Sequence, residues 1–224
     1  MDGPVIQAAT AQSLAEGFRI KHLFFAAREL AAASAADLLV MTYWQPVSRY
    51  HPERFAEELA DAGGAGVILP DLPIEEADRW LAASRSTGLH TVFVVAPNAA
   101  DSRLSRVCAA GSGMVYAPAV AGVTGSTSPL HPGLPHFVKR LRSLTALPIG
   151  VGIGVSNAED AHVVSRYSDA VIVGSALLRR LQETPGPREI EAAAQLAAEL
   201  ADSVHQRARP PPDPAPTTLS ISSS

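Results

Sequence analysis

The chain has 224 residues, 47% of them apolar and 18% charged, enough to bury a sizeable core and better suited to one domain than to two. Its 18 Lys plus Arg against 22 Asp plus Glu give a formal charge of -4, and without a basic block interleaved with aromatics it does not read as a nucleic-acid binder. A single cysteine, Cys108, rules out an intramolecular disulfide or a thiolate metal cluster and fits a reducing compartment, its plain role being a small core residue.

In chain order, Gln7–Glu16 and Ile20–Ala33 read as helices with no strand ahead of them. Thereafter β-branched or apolar runs alternate with amphipathic stretches, the pattern of βα units around a parallel sheet. Six strands are predicted: Asp37–Tyr43, Gly66–Pro70, His90–Ala96, Met114–Ala117, Pro148–Gly152 and Ala170–Val173. Most are near-continuously hydrophobic, as strands covered on both faces should be. Helices are predicted between them at Pro52–Ala62, Ile74–Thr87, Asp101–Ala110, Leu134–Leu144 and Asn157–Tyr167, and after the last strand at Ala176–Gln182 and Arg188–Gln206. Asp101 and Asn157 are candidate caps, and Gly63 and Gly88 follow helix ends. Trp80 falls on a helix whose apolar face should meet the sheet.

From residue 208 onward the chain is rich in Pro, Thr and Ser and too poor in apolar groups to offset the entropy of ordering, so residues 208–224 are expected to be a disordered tail behind a folded domain at 1–207. No window reaches the ~18 apolar residues of a membrane span, and the N-terminus lacks a basic region followed by an apolar stretch. A cytoplasmic protein with no membrane contact is expected. The seven histidines are scattered without metal-ligand spacing, and His131 and His136 flank a Pro-Gly turn where both should be solvated.

Two late strands carry the first functional signal. Leu147-Pro148-Ile149-Gly150-Val151-Gly152-Ile153-Gly154 and Ala170-Val171-Ile172-Val173-Gly174-Ser175 each end in glycine and lead into a helix. Such turns can offer backbone N–H groups to an anion with no Cβ in the way, and successive strand-to-helix turns put those groups side by side. A phosphorylated metabolite is the expected ligand, although Gly154 and Gly174 are also readable as plain turn glycines.

Further segments join these turns: Met1-Asp2-Gly3-Pro4-Val5-Ile6-Gln7, Met41-Thr42-Tyr43-Trp44-Gln45-Pro46-Val47, Val67-Ile68-Leu69-Pro70-Asp71-Leu72-Pro73, Ala96-Pro97-Asn98, and Tyr116 followed by Gly122-Val123-Thr124-Gly125. In this order, from Asp2 to about Leu181, they resemble the tryptophan synthase alpha chain family. The resemblance implies a (β/α)8 TIM barrel that cleaves indole-3-glycerol phosphate by a retro-aldol reaction to indole and glyceraldehyde 3-phosphate, with no metal or organic cofactor. It implies phosphate binding at Gly125, Gly154, Gly174 and Ser175, a loop residue at Thr124 that helps close the site, and an indole pocket lined by Tyr43, Ile68, Val94, Tyr116 and Ile153. The pocket residues are equally readable as barrel core, because strand ends serve both roles.

Retro-aldol chemistry calls for two carboxylates, one trading protons and one receiving the indole N–H. Asp2 matches the second; taken alone, Asp before Gly-Pro is a turn former. The family's acid/base Glu ends its second strand, and no residue of this chain corresponds to it. Glu53, Glu57, Glu58, Glu75 and Glu76 lie on helices and are not substitutes. The first two strands and first helix of the family are likewise unmatched, which predicts open edges at Asp37–Tyr43 and Ala170–Val173 and a true start upstream of Met1. Two further departures stand out: Ala119-Val120 replaces a common Ser-Arg before Gly122, and Gln45 replaces a common Asn.

The implied partner is the pyridoxal-phosphate beta chain of an alpha2beta2 assembly, met through Tyr43–Pro46 and Asp71–Pro73. The alternatives are a stand-alone indole-releasing lyase and a non-catalytic relative that binds a phosphorylated ligand or a partner.

Overall fold

The computed structural model describes residues 2–119 and 130–205. Two helices open the chain, α1 (Pro4–Ala15) and α2 (Ile20–Ala33). Strands β1 (Leu39–Met41), β2 (Gly66–Leu69), β3 (His90–Phe93), β4 (Val115–Pro118), β5 (Ile149–Gly152) and β6 (Ala170–Val171) follow, separated by helices α3 (Trp44–Tyr50), α4 (Pro52–Asp61), α5 (Asp78–Thr87), α6 (Asp101–Ala110), α7 (Leu134–Arg142) and α8 (Ala158–Ser165). Helices α9 (Ser175–Glu183) and α10 (Glu189–His205) complete the described chain. Among the described residues, no helix is long and apolar enough to cross a membrane.

All strand pairs are parallel and run in chain order, β1-β2-β3 and β4-β5-β6. A Val94–Tyr116 bridge and a bond from the Val95 N–H to the Tyr116 carbonyl (2.9 Å) join the two halves into one arc. This is the βα arrangement of the TIM barrel with six strands. Neither β1 nor β6 pairs on its outer side among the described residues. Helix α1 packs against α9 and so spans the interval between the two edges, although none of its residues is buried.

Alternation along the strands divides the core into three. Val67, Leu69 and Phe93 face outward onto α4 and α5, packing with Phe55, Leu59 and Trp80. Val115, Ile149 and Val151 face outward beneath α7 and α8, with Phe137, Leu141 and Val164. Ile68, Val92 and Tyr116 point into the arc, where Leu39, Val94, Met114, Ile153 and Ile172 gather around them. Glycines in β5 make that inner packing possible. A Cβ on Gly152 would lie 2.6 Å from the Tyr116 hydroxyl and 2.7 Å from Cβ of Ile172, closer than any real contact.

Trp80 is fully buried, as its helix position predicts, and its indole N–H donates to the Thr91 hydroxyl at 2.9 Å. That hydroxyl in turn donates to Ser84 Oγ at 3.0 Å, so a polar group carried into the core is satisfied. Cys108 is buried too, and burial pushes its thiol pKa up. His131 and His136 are exposed.

Several local expectations are corrected. Asn157 does cap α8, accepting from the Asp160 N–H at 2.8 Å, but α6 is capped by Ala100 with no side-chain bond. Asp101 instead takes the guanidinium of Arg140 at 2.6 Å. The predicted helix Ile74–Thr87 divides at Ala77 into a 3-10 turn (Ile74–Glu76) and α5. The strand expected over Asp37–Tyr43 is ordered as a ladder only over Leu39–Met41, since it has one neighbour to pair with rather than two. Helix α3 was not foreseen. Its Pro46 falls in the first turn, where a missing N–H costs nothing.

Candidate active site

A cavity of about 900 Å³ opens inside the arc at the C-terminal ends of the strands, the end at which barrels of this type place their chemistry. Its floor is the inner cluster, with Ile68, Tyr116 and Ile172 among the lining residues. Burial pushes the Tyr116 hydroxyl up to about 12, partly opposed by a hydrogen bond from the Ile153 backbone. Tyr116 therefore serves as a neutral wall.

The turns after β5 and β6 present backbone to the cavity. After β5 the chain turns through two residues with positive φ, Ile153 at 57° and Gly154 at 119°. The first is costly for a β-branched side chain and the second favours glycine. After β6, Gly174 caps α9 with no side-chain bond, and Ser175 is the first residue of that helix. The unsatisfied N–H groups and positive dipole end of α9 thus open at Gly174 and Ser175, beside Gly154, all three lining the same cavity. A Cβ on Gly174 would meet no described residue within 4 Å.

Asp2 supplies the acid end. It lines the cavity just before α1, and its carbonyl is pinned by the Gln7 side-chain amide at 2.7 Å. Tyr43, just after β1, lines the same cavity as Asp2. Its pKa is raised first by partial burial, then by the neighbouring Asp2 side chain and its charge, partly opposed by the Asp2 backbone, with Asp71 adding to the rise. Among the described lining residues Asp2 is the one carboxylate.

The cavity therefore unites Asp2, Tyr43, Ile68, Tyr116, Ile153, Gly154, Gly174 and Ser175. Val94 stands apart. It packs against the inner cluster and borders a separate cavity of about 250 Å³ between the Asp71–Ile74 loop and α6. Thr124 and Gly125 lie outside the described residues. Sequence reasoning did not find the wall made by Ile6, Ala9 and Leu14 of α1 with Phe18 and Leu23; nothing in the pattern of α1 announces which way it leans. Ile172 was findable, lying two residues along β6 from Ala170 on the inward face.

Outside the cavity mouth, two loops are tied together. Asp71 Oδ1 accepts from the Trp44 backbone N–H at 2.8 Å, satisfying one of the free donors at the start of α3, which has no side-chain cap of its own. Gln45, Pro46 and Asp71 are exposed.

The family model described as tryptophan synthase alpha chain matches residues 1–208. A relative named "Tryptophan synthase alpha chain" from Streptomyces coelicolor is 46% identical over 93% of this chain and 77% of its own length. One from Thermobifida fusca is 43% identical over 93% and 78%. Among solved structures, tryptophan synthase of Mycobacterium tuberculosis superposes with a TM-score of 0.83 at 40% identity, covering 91% of this chain and 76% of that one. The tryptophan synthase A-subunit of Pyrococcus furiosus superposes at 0.80 with 28% identity, covering 90% and 81%. With the βα arc and its cavity-lining glycine turns in place, these similarities lead to one conclusion: the chain belongs to the tryptophan synthase alpha chain family.

Proposed function

We propose that the cavity binds indole-3-glycerol phosphate and serves its retro-aldol cleavage to indole and glyceraldehyde 3-phosphate. The observation that carries this reading is the convergence of Gly154, Gly174 and Ser175 with Asp2 on one apolar cavity. The phosphate takes the turn amides and the Ser175 hydroxyl, with Gly125 and Thr124 assigned to the same end. The indole ring lies against Tyr116, Ile68 and Ile153, with Val94 supporting that wall from behind.

Cleavage begins when C3 of indole gains a proton and the ring becomes cationic. The Asp2 carboxylate accepts the ring N–H and stabilises that charge, while Tyr43 orients the carboxylate. Loss of the proton from the neighbouring glycerol hydroxyl then forms the aldehyde; the carbon–carbon bond breaks and its electron pair returns to the ring. Asp2 can serve the nitrogen only. Both proton transfers at carbon and oxygen need a second group, which among the described lining residues has no carboxylate to fill it.

The exposed pair of loops at Tyr43–Pro46 and Asp71–Pro73 is the proposed docking face for a pyridoxal-phosphate beta chain in an alpha2beta2 assembly, and the bond between Trp44 and Asp71 makes them a single surface. A second reading, a non-catalytic binder of phosphate esters, is favoured by the lone carboxylate.

The two readings separate in one experiment. Indole release from indole-3-glycerol phosphate is followed with and without beta chain, beside calorimetric binding of glycerol 3-phosphate. Indole that disappears in Asp2→Asn, with phosphate-ester binding kept, supports the lyase. Binding without indole in either mixture supports the second reading, and absence of binding overturns both.

A further inference from the structure

The backbone that leads into α1 is held by a side chain from within that helix. Gln7, the fourth residue of α1, donates its main-chain N–H to the Gly3 carbonyl at 3.0 Å and its side-chain amide to the Asp2 carbonyl at 2.7 Å. Gly3 itself is extended, with φ -82° and ψ 175°, as the residue before a proline is driven to be. Because a peptide unit is planar, anchoring the Asp2 carbonyl also places the Asp2 Cα. The carboxylate is left with one backbone rotation and its own side-chain torsions.

That placement bears on both ends of the cavity. Asp2 lines it, and the Asp2 side chain neighbours Tyr43, whose pKa rises first through burial and then through this neighbour. Helix α1 contributes Ile6, Ala9 and Thr10 to the wall and packs against α9, which begins at Gly174 and Ser175, the proposed phosphate turn. The Gln7 amide thus ties the acid end of the cavity to the element that runs along its wall toward the phosphate end. Gln7 is exposed and is not among the lining residues, so any effect it has on a ligand passes through Asp2.

We propose that Gln7 is a positioning residue for the cleavage: its amide holds the Asp2 backbone so that the carboxylate meets the indole N–H of a ligand whose phosphate is seated at Gly174 and Ser175. This rests on the reading of Asp2 as the acceptor of that N–H.

The test is a double-substitution cycle followed by calorimetry with two probes, indole for the acid end and glycerol 3-phosphate for the phosphate end. Gln7→Met keeps an unbranched, helix-favouring side chain and removes the donor. It should weaken indole binding at least about threefold, within the reach of one hydrogen bond, while glycerol 3-phosphate affinity stays within about twofold. In an Asp2→Ala background the same substitution should lose its effect on indole, because a residue that acts through Asp2 then has no carboxylate to place. A variant that weakens both probes alike, or weakens indole as much without Asp2 as with it, has a general structural effect and overturns the proposal. Indole affinity lowered by Asp2→Ala but not by Gln7→Met overturns the positioning role and leaves the acceptor reading standing. Indole affinity untouched by Asp2→Ala overturns both. No arm of the test requires turnover.

Discussion

Gly174→Ala puts the anion turn to its most direct trial. The added methyl would meet none of the described residues within 4 Å, and the residue sits at φ -128°, outside the left-handed region that favours glycine. Substitution at a helix N-cap between Gly and Ala shifts stability by well under about 2 kcal/mol, or a few degrees in Tm for a chain of this size. On the proposed reading, the space entered is where the phosphate approaches the Gly174 and Ser175 amides. Losing one charge-assisted hydrogen bond there costs about 1.5–3 kcal/mol, which is roughly a 10- to 150-fold weaker Kd. Calorimetry with glycerol 3-phosphate, run beside thermal melts of both proteins, gives the two quantities separately. Undiminished affinity in a well-folded Gly174→Ala variant would refute the assignment of this turn to the phosphate.

The same chemical change two turns away should do the opposite. Gly152→Ala forces a methyl against the Tyr116 hydroxyl and Ile172, so urea melts should show a loss of about 1–3 kcal/mol from overpacking. Thr91→Val leaves the buried Trp80 N–H without its acceptor and should cost about 1–3 kcal/mol by the same measurement, whereas a change below about 0.5 kcal/mol would contradict the buried network. At the surface, the Arg79 guanidinium grips both oxygens of Glu53 at 2.8 Å and holds its carboxyl down at about 2 from 4.5. A depressed carboxyl contributes stability above its unfolded value and loses it as pH falls from about 4.5 towards 2. NMR titration of Glu53 in Arg79→Ala should return it to the ordinary carboxylate range, and the acid loss of stability in that window should shrink.

How far the chain could be read without coordinates follows from how local each signal is. Strands such as Gly66–Leu69 and Ile149–Gly152 declare themselves because both faces are covered and every residue is apolar, and Asn157 declares a helix start because its own side chain caps the next turn. Glycine turns after β5 and β6 are equally local, so Gly154 and Gly174 were visible together with Ser175. What escaped depends on partners distant in sequence. The acceptor that starts α3 is Asp71, 27 residues on, and the wall formed by α1 depends on where α9 lies. Asp101 read as a cap by type, yet Arg140, 39 residues away, claims it. Val94 alternates with the inward residues and pairs with Tyr116, yet it borders the neighbouring cavity beneath the Asp71–Ile74 loop, a division that periodicity does not encode.

Two neighbouring residues at the end of β1 have separate commitments. Tyr43 lines the cavity beside Asp2, and the Trp44 amide donates to Asp71 outside it. A single peptide unit therefore connects the cavity with the outer rim. A shift of the Asp71 segment bears on the backbone that carries Tyr43. Pressure applied from outside is thereby transmitted inward over the shortest covalent path the chain allows.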